Sequence, residues 1–385
     1  MDEMSLIPAQ VTVPQKKHLT AARTFQGIPS CVQMPGGRLL ACWYTGGEDE
    51  GPDNFVIVVY SDDRGETWSD AVAVVEPQAD GIRAFDANIF VDANGKVRLF
   101  WAQSCSPANR KPIDLRCGVF FSELTNYRKS PDKWQWSSAR RISDGLMLNK
   151  PVTLSNGNIA LPIYVCRKNL VGAAENIANS GSKMYLTQSD FQKITETGKC
   201  LMPLESASWD ETSIIEKRDG TLWMIIRAAW GKNNFESLSV DGGKTWSEPA
   251  ESTLCGACSR LFITRLKSGR LLLINHLPGA DGVAVRNNLA AMLSDDDGKS
   301  WYGNLMLDVR EQVSYPDGME GEDGFIYITY DRERYLSGEI LMARFTEDDV
   351  AAGKIVSKGS KLQMLINVSG GTGKDITNVM PDQSC

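Results

Sequence analysis

Three stretches of this 385-residue chain share one pattern, Ser-x-Asp-x-Gly-x-x-Trp, at residues 61–68, 239–246 and 294–301. The pattern is that of a hairpin turn. The Ser and Asp side chains satisfy backbone groups inside the turn, and Gly supplies a positive φ. The Trp folds back as an apolar plug over the hairpin beneath. Each copy follows an apolar β-like run, so the three together mark a repeated structural unit.

A second phrase recurs six times. A turn containing Gly leads into an apolar strand of six to seven residues, opening at Gly37, Gly95, Gly157, Gly220, Gly269 and Gly324, with separations of 58, 62, 63, 49 and 55 residues. Another short β-like run precedes each copy. A period of roughly 50–60 residues built from short strands is that of propeller blades. The sequence therefore predicts an all-β fold, a six-bladed β-propeller of four-stranded antiparallel blades. It reads as one domain over residues 1–385, with blades across approximately 20–356 and a flexible tail over approximately 357–385. The Ser-x-Asp turns belong to blades 1, 4 and 5. An N-terminal strand around Val11 is expected to complete the last blade, and Thr346 and Gly353 to cap one short helix. A two-domain β-sandwich would not give six evenly spaced phrases.

Charge and composition narrow the function. The net charge is −7 and the pI about 5.2, which argues against nucleic acid as a partner. No run approaches the roughly 18 uncharged apolar residues of a membrane span. The N-terminus has neither a basic nor an apolar leader segment, so the chain is expected to be soluble and cytoplasmic. Nine Cys are scattered; Cys255 and Cys258 have CxxC spacing but no second pair, and ordinary buried thiols are expected. With two His in the chain, no metal site is expected and no cofactor is called for.

In a propeller, the loops at one face meet around the axis. The residues closing the six apolar runs, Trp43 or Tyr44, Trp101, Tyr164, Arg227, His276 and Tyr330, are expected near that mouth. Rings that cover sugar faces and cations that pair with carboxylates suit glycan recognition. Arg227 stands out because it ends an apolar strand, and a buried cation is costly without a partner.

Taken together, the turns and blades resemble the sialidase (neuraminidase) superfamily of Asp-box, or BNR-repeat, propellers, over residues 20–350. The resemblance implies a site residue by residue. Glu211 and Arg227, at the two ends of the fourth-blade phrase, match a Glu that polarises a Tyr nucleophile and an Arg that holds a substrate carboxylate. Arg286, ahead of the fifth-blade turn, matches a further Arg. Tyr315, in Ser314-Tyr315-Pro316, matches the nucleophile. The acid/base belongs to the loop 45–54, where spacing favours Asp49, with Glu50 close behind. One position departs from the family: Gly27 stands where a first-blade Arg is expected. Arg23 and Arg83 are candidates to replace that cation, Lys150 could place one elsewhere, and Trp43 is a candidate sugar platform.

The implied activity is a retaining exo-glycosidase acting on a terminal, anionic sugar such as sialic acid, with a glycan or oligosaccharide as partner. A Tyr hydroxyl is a poor nucleophile until a neighbouring carboxylate takes its proton, and Tyr nucleophiles are an exception to the two-carboxylate scheme of glycosidases. Two alternatives remain open: a uronate-polysaccharide lyase with His276 as base, and a non-catalytic glycan-binding propeller.

Overall fold

The computed structural model describes residues 7–79, 81–105, 117–168 and 178–370. Six antiparallel sheets make the six blades. Their inner strands are Gln26–Gln33, Ile82–Val91, Val152–Thr153, Thr212–Glu216, Phe262–Arg265 and Val313–Glu320. The six Gly-led apolar runs form the second strands, Leu39–Thr45, Val97–Cys105, Ile159–Val165, Leu222–Ile226, Leu271–His276 and Ile326–Arg332. Their residues alternate between the two faces of a blade, and both faces are covered by neighbouring blades. That is why they read as continuous apolar runs rather than alternating ones.

The Asp-box turns join the third and fourth strands of blades 1, 4 and 5 as expected. In the second copy, the Ser239 hydroxyl accepts from Gly243 N at 2.9 Å and Asp241 accepts from Thr245 N at 2.9 Å. Trp246 Nε1 donates to Gly243 O at 3.0 Å. The glycines also space the blades. A Cβ on Gly65 would fall 2.1 Å from Met342 of blade 6, and one on Gly243 2.0 Å from Met184 of blade 3. The turn is thus a docking point on the preceding blade as well as a hairpin. The short helix Glu347–Ala352 is present, with Thr346 capping it and Gly353 ending it at φ 64°.

Two expectations about the ends are corrected. The N-terminal strand Val11–Thr12 pairs with Ala73–Val75 and adds a fifth strand to blade 1. Blade 6 is completed by its own fourth strand, Lys361–Val368, so the blades extend past residue 356. The remainder of the expected flexible tail, from residue 371, lies outside the described residues. Among the described residues, no strand is shared between the first and last blades. The ring closes through side chains: Asp331 accepts from Ile28 N at 2.7 Å, Asp317 from Cys31 N at 3.2 Å, and Gln26 donates to Gly338 O at 2.6 Å. Behind them, Trp43, Tyr327, Ile340, Met342 and Met364 pack as one apolar cluster from blades 1 and 6.

The axis itself is held by Arg260, which is 1% exposed. Its guanidinium donates to Leu148 O of blade 3 at 2.6 Å, Pro29 O of blade 1 at 2.7 Å, and Pro316 O and Tyr315 O of blade 6 at 3.1 and 3.2 Å. Only an arginine offers enough fixed donors to reach three other blades from blade 5. Arg260→Met strands those carbonyls without donors. It is expected to cost at least about 3 kcal/mol of stability by urea unfolding; a loss under about 1 kcal/mol would contradict this role.

Candidate active site

The inner strands do not run straight into the mouth. Ile28, Asp86, Asp210, Cys258 and Tyr315, at the mouth end of the inner strands in five blades, have φ between 48° and 58°. Pairing with the second strand slips at three of these places, between Gly27 and Ser30, Phe85 and Asn88, and Ser314 and Asp317. A bulge of this kind breaks the in-and-out alternation and re-aims one side chain. Left-handed backbone costs a non-Gly residue roughly 1–2 kcal/mol, and such strain clusters at functional sites.

Three of the expected residues meet there. Arg227 Nη1 donates to Glu211 Oε1 at 2.5 Å and to the Tyr315 hydroxyl oxygen at 3.0 Å. The Tyr315 hydroxyl donates to the same Glu211 oxygen at 3.3 Å. Glu211 Oε2 is buried and accepts no hydrogen bond. Burial raises the Tyr315 pKa above its usual value, against the pull of Arg227, so the phenol is neutral at neutral pH. Burial also opposes the charge on Arg227, but Glu211 and Tyr315 outweigh it and raise its pKa. Arg286, the fourth expected residue, lies over the Tyr315 ring with its guanidinium carbon 5.2 Å from the ring centre, and donates to Cys258 O at 2.8 Å.

A residue that no sequence signal marked completes this group. Arg334, between the second and third strands of blade 6, lies over the Tyr315 ring at 4.8 Å. It pairs with Glu50 at 2.6 Å and approaches Asp331 at 3.6 Å. Glu50 also accepts from the Tyr44 hydroxyl at 2.9 Å. Glu50 is therefore a counter-charge to Arg334.

The loop bearing Asp49 is tied down by Asn54, whose side-chain amide donates to Gly46 O at 2.7 Å and Asp49 O at 2.8 Å. Arg83 braces that Asn54 at 3.4 Å while stacked 3.8 Å from the Phe85 ring. It supports the loop and is 5% exposed. Next to it stands Asp86, also missed in the sequence. Burial pushes its carboxyl up to about 7, with Arg83 pulling it back and Glu211 and Glu50 pushing further. A signal for Asp86 existed. Asp86 and Tyr315 each lie nine residues ahead of the Gly opening the next strand, Gly95 and Gly324.

Four expected site residues lie elsewhere. Trp43 is fully buried between blades 1 and 6, donating to Gln26 at 3.0 Å. Arg23 donates to Thr20 at 2.9 Å and to Asn367 at 3.1 Å, in the seam that closes the ring. Lys150 pairs with Asp317 at 2.6 Å and donates to Gly318 O at 2.9 Å. It lines a cavity of about 960 Å³ bounded by the Gly-led turns, such as Gly220, at the opposite face. His276 is 1% exposed, hydrogen-bonded through Nδ1 to Asn287 O at 2.8 Å, with its pKa lowered to about 4 by burial. Trp43 and His276 lie within second strands, which neighbouring blades sandwich, whereas Arg227 follows the end of its own, Leu222–Ile226, and reaches the mouth. Among the described residues, no group of three or more His, Cys, Asp or Glu could hold a metal ion, and no helix is long and apolar enough to cross a membrane. Cys255 is a free thiol, as are Cys31, Cys42, Cys105, Cys117, Cys166 and Cys200.

Comparisons with known proteins agree with the fold. A model described as a BNR repeat-like domain matches residues 37–328. No curated protein sequence matches the chain. Among solved structures, a protein of unknown function from Dyadobacter fermentans superposes with a TM-score of 0.61 at 13% identity, covering 85% of this chain and 94% of that one. An intramolecular trans-sialidase from Ruminococcus gnavus, in complex with oseltamivir carboxylate, gives 0.62 at 14% identity over 87% and 97% of the two chains. A Trypanosoma rangeli sialidase in complex with sialic acid gives 0.59 at 16% over 83% of this chain. This chain spans little more than half, 56%, of the trypanosomal enzyme.

The raised Asp86 pKa has a consequence for stability. Its folded value of about 7 lies above the ordinary 3.8, so its contribution is intact in acid and is lost as pH rises through 7. Asp86→Asn removes that loss. The melting temperature of the variant relative to the parent is expected to be higher at about pH 8 than at about pH 5. An unchanged difference across that range would show that Asp86 ionises normally.

Proposed function

This chain belongs to the BNR repeat-like domain family, and from that premise we propose that it is a retaining exo-glycosidase of sialidase type acting on a terminal anionic sugar. The observation that carries the reading is the buried triad. The neutral Tyr315 hydroxyl donates to Glu211, and Arg227 touches both. As the Tyr315 oxygen bonds to the anomeric carbon, Glu211 accepts its proton. The bond from that carbon to the leaving oxygen breaks, and a carboxylic acid protonates the departing oxygen. In the second half, the same carboxylate takes a proton from water. The water oxygen displaces Tyr315, which recovers its proton from Glu211. A neutral Tyr approaches an anionic substrate without the repulsion a carboxylate nucleophile would meet.

Two carboxyls fit the acid/base role. Asp49 stands in the loop that the family resemblance points to. Burial raises the Asp86 carboxyl to about 7, so a share of it carries the proton a general acid requires at neutral pH. Glu50 is taken up by Arg334 and Tyr44. A lyase reading with His276 as base is not favoured, because that ring is buried against Asn287.

Tyr315→Phe is expected to reduce turnover of a chromogenic glycoside to background, and Glu211→Gln to lower it about 10²- to 10⁴-fold. The panel should include a sialoside and uronides, and NMR of the first-formed sugar should show retention. Wild-type turnover in either variant, inversion, or a product absorbing as a 4,5-unsaturated ring would overturn the mechanism. Asp49→Asn and Asp86→Asn then separate the two acids. The variant lacking the true acid keeps activity on an aryl glycoside with a good leaving group and loses it on an unactivated one. Loss on neither substrate in both variants would remove both assignments.

A further inference from the structure

We propose that Arg334 supplies the cation missing at Gly27, so that a sugar-ring carboxylate is held by Arg227, Arg286 and Arg334 together. The inference rests on the glycosidase reading and concerns how the site selects its substrate. The absent side chain at Gly27 and the presence of Arg334 are one structural fact. A Cβ on Gly27 would lie 2.2 Å from Arg334 Cδ and 2.7 Å from Cγ. No side chain at residue 27 is compatible with the path Arg334 takes. The stem of Arg334 fills the space that a first-blade side chain would use, and its guanidinium reaches the Tyr315 ring from blade 6.

The guanidinium is built into the site. Its side chain is 4% exposed, Nη1 is fixed by Glu50, and Nε faces Asp331. Nη2 makes no hydrogen bond to the described residues and is left to serve a ligand. Arg286 lies over the same ring. Two guanidinium groups flank one phenol, so an anion bound at the mouth gains attraction from both, and a charge-assisted hydrogen bond from Arg334 Nη2. A neutral sugar offers no such charge. Arg334 is therefore assigned as a specificity-determining residue.

The test is binding, separate from turnover. In a Tyr315→Phe background, calorimetry would compare N-acetylneuraminic acid and glucuronic acid with their methyl esters. At least one acid is expected to bind more tightly than its ester. Arg334→Gln should weaken that acid at least tenfold and leave the ester nearly unchanged, while Arg334→Lys retains part of the affinity. Gly27→Ala, which deletes no charge but displaces the Arg334 stem, should copy Arg334→Gln; melting curves would confirm that each variant is folded. Equal affinity for acid and ester in the parent, or equal weakening of both by Arg334→Gln, would overturn the assignment. The two proposals fail separately. A protein that binds the acid through Arg334 yet hydrolyses no glycoside keeps the clamp and loses the glycosidase. One that hydrolyses glycosides and discriminates acid from ester equally well without Arg334 keeps the glycosidase and loses the clamp.

Discussion

The guanidinium of Arg260 is the interaction on which both fold and site depend. A propeller of six nearly independent sheets has to stop its inner strands from sliding along one another, and apolar packing between twisted blades is not directional. Arg260 supplies direction. It leaves blade 5 and ends on carbonyls of blades 1, 3 and 6. Because one of those carbonyls belongs to Tyr315, the interaction that fixes the blades also fixes the backbone of the proposed nucleophile. Ser259, beside Arg260, accepts from Tyr315 N at 3.0 Å and adds a second hold. Strain at Tyr315, whose φ is 54°, persists because neighbours from another blade over-determine its position.

The same economy recurs around the mouth. Backbone groups that the inner strands leave outside their own blade's ladder are taken up by other blades. Asp331 of blade 6 accepts from Ile28 N in blade 1, and Ser30 of blade 1 accepts from Ile89 N in blade 2 at 3.1 Å. Asn149, leading into blade 3, donates to Thr212 O of blade 4 at 2.8 Å. The free edges of the inner strands are thus tied to one another by hydrogen bonds between blades. The functional face is where the ring is cross-linked, which suits a site that must hold a buried ion pair in fixed geometry.

The fold was legible because its repeats are written in local chemistry. The Ser-x-Asp-x-Gly-x-x-Trp turn needs its residues for its own hydrogen bonds, so the pattern survives in the sequence and sets the register of the blades. That register led to Glu211, Arg227, Arg286 and Tyr315, which the structure brings together. Trp43 and His276 were misplaced because an apolar run does not say whether a strand faces the axis or lies one place out. Arg23 and Lys150 were misplaced because nearness in sequence to a missing cation is not nearness in space. Arg334 was invisible for a related reason. It sits in a loop of blade 6, 307 residues from Gly27, and only closure of the ring makes the two neighbours.

A cation that enters the mouth from blade 6 also organises the carboxylates around it. A buried guanidinium requires a counter-charge, and one entering from blade 6 finds Asp331 on its own blade and Glu50 across the mouth. Burial pushes the Asp331 carboxyl above the usual range despite the pull of Arg334, so Asp331 alone is a weak partner. Glu50 supplies the closer counter-charge, at 2.6 Å, and also accepts from the Tyr44 hydroxyl. Arg334 therefore ties the first-blade loop that carries Glu50 to blade 6 across the mouth.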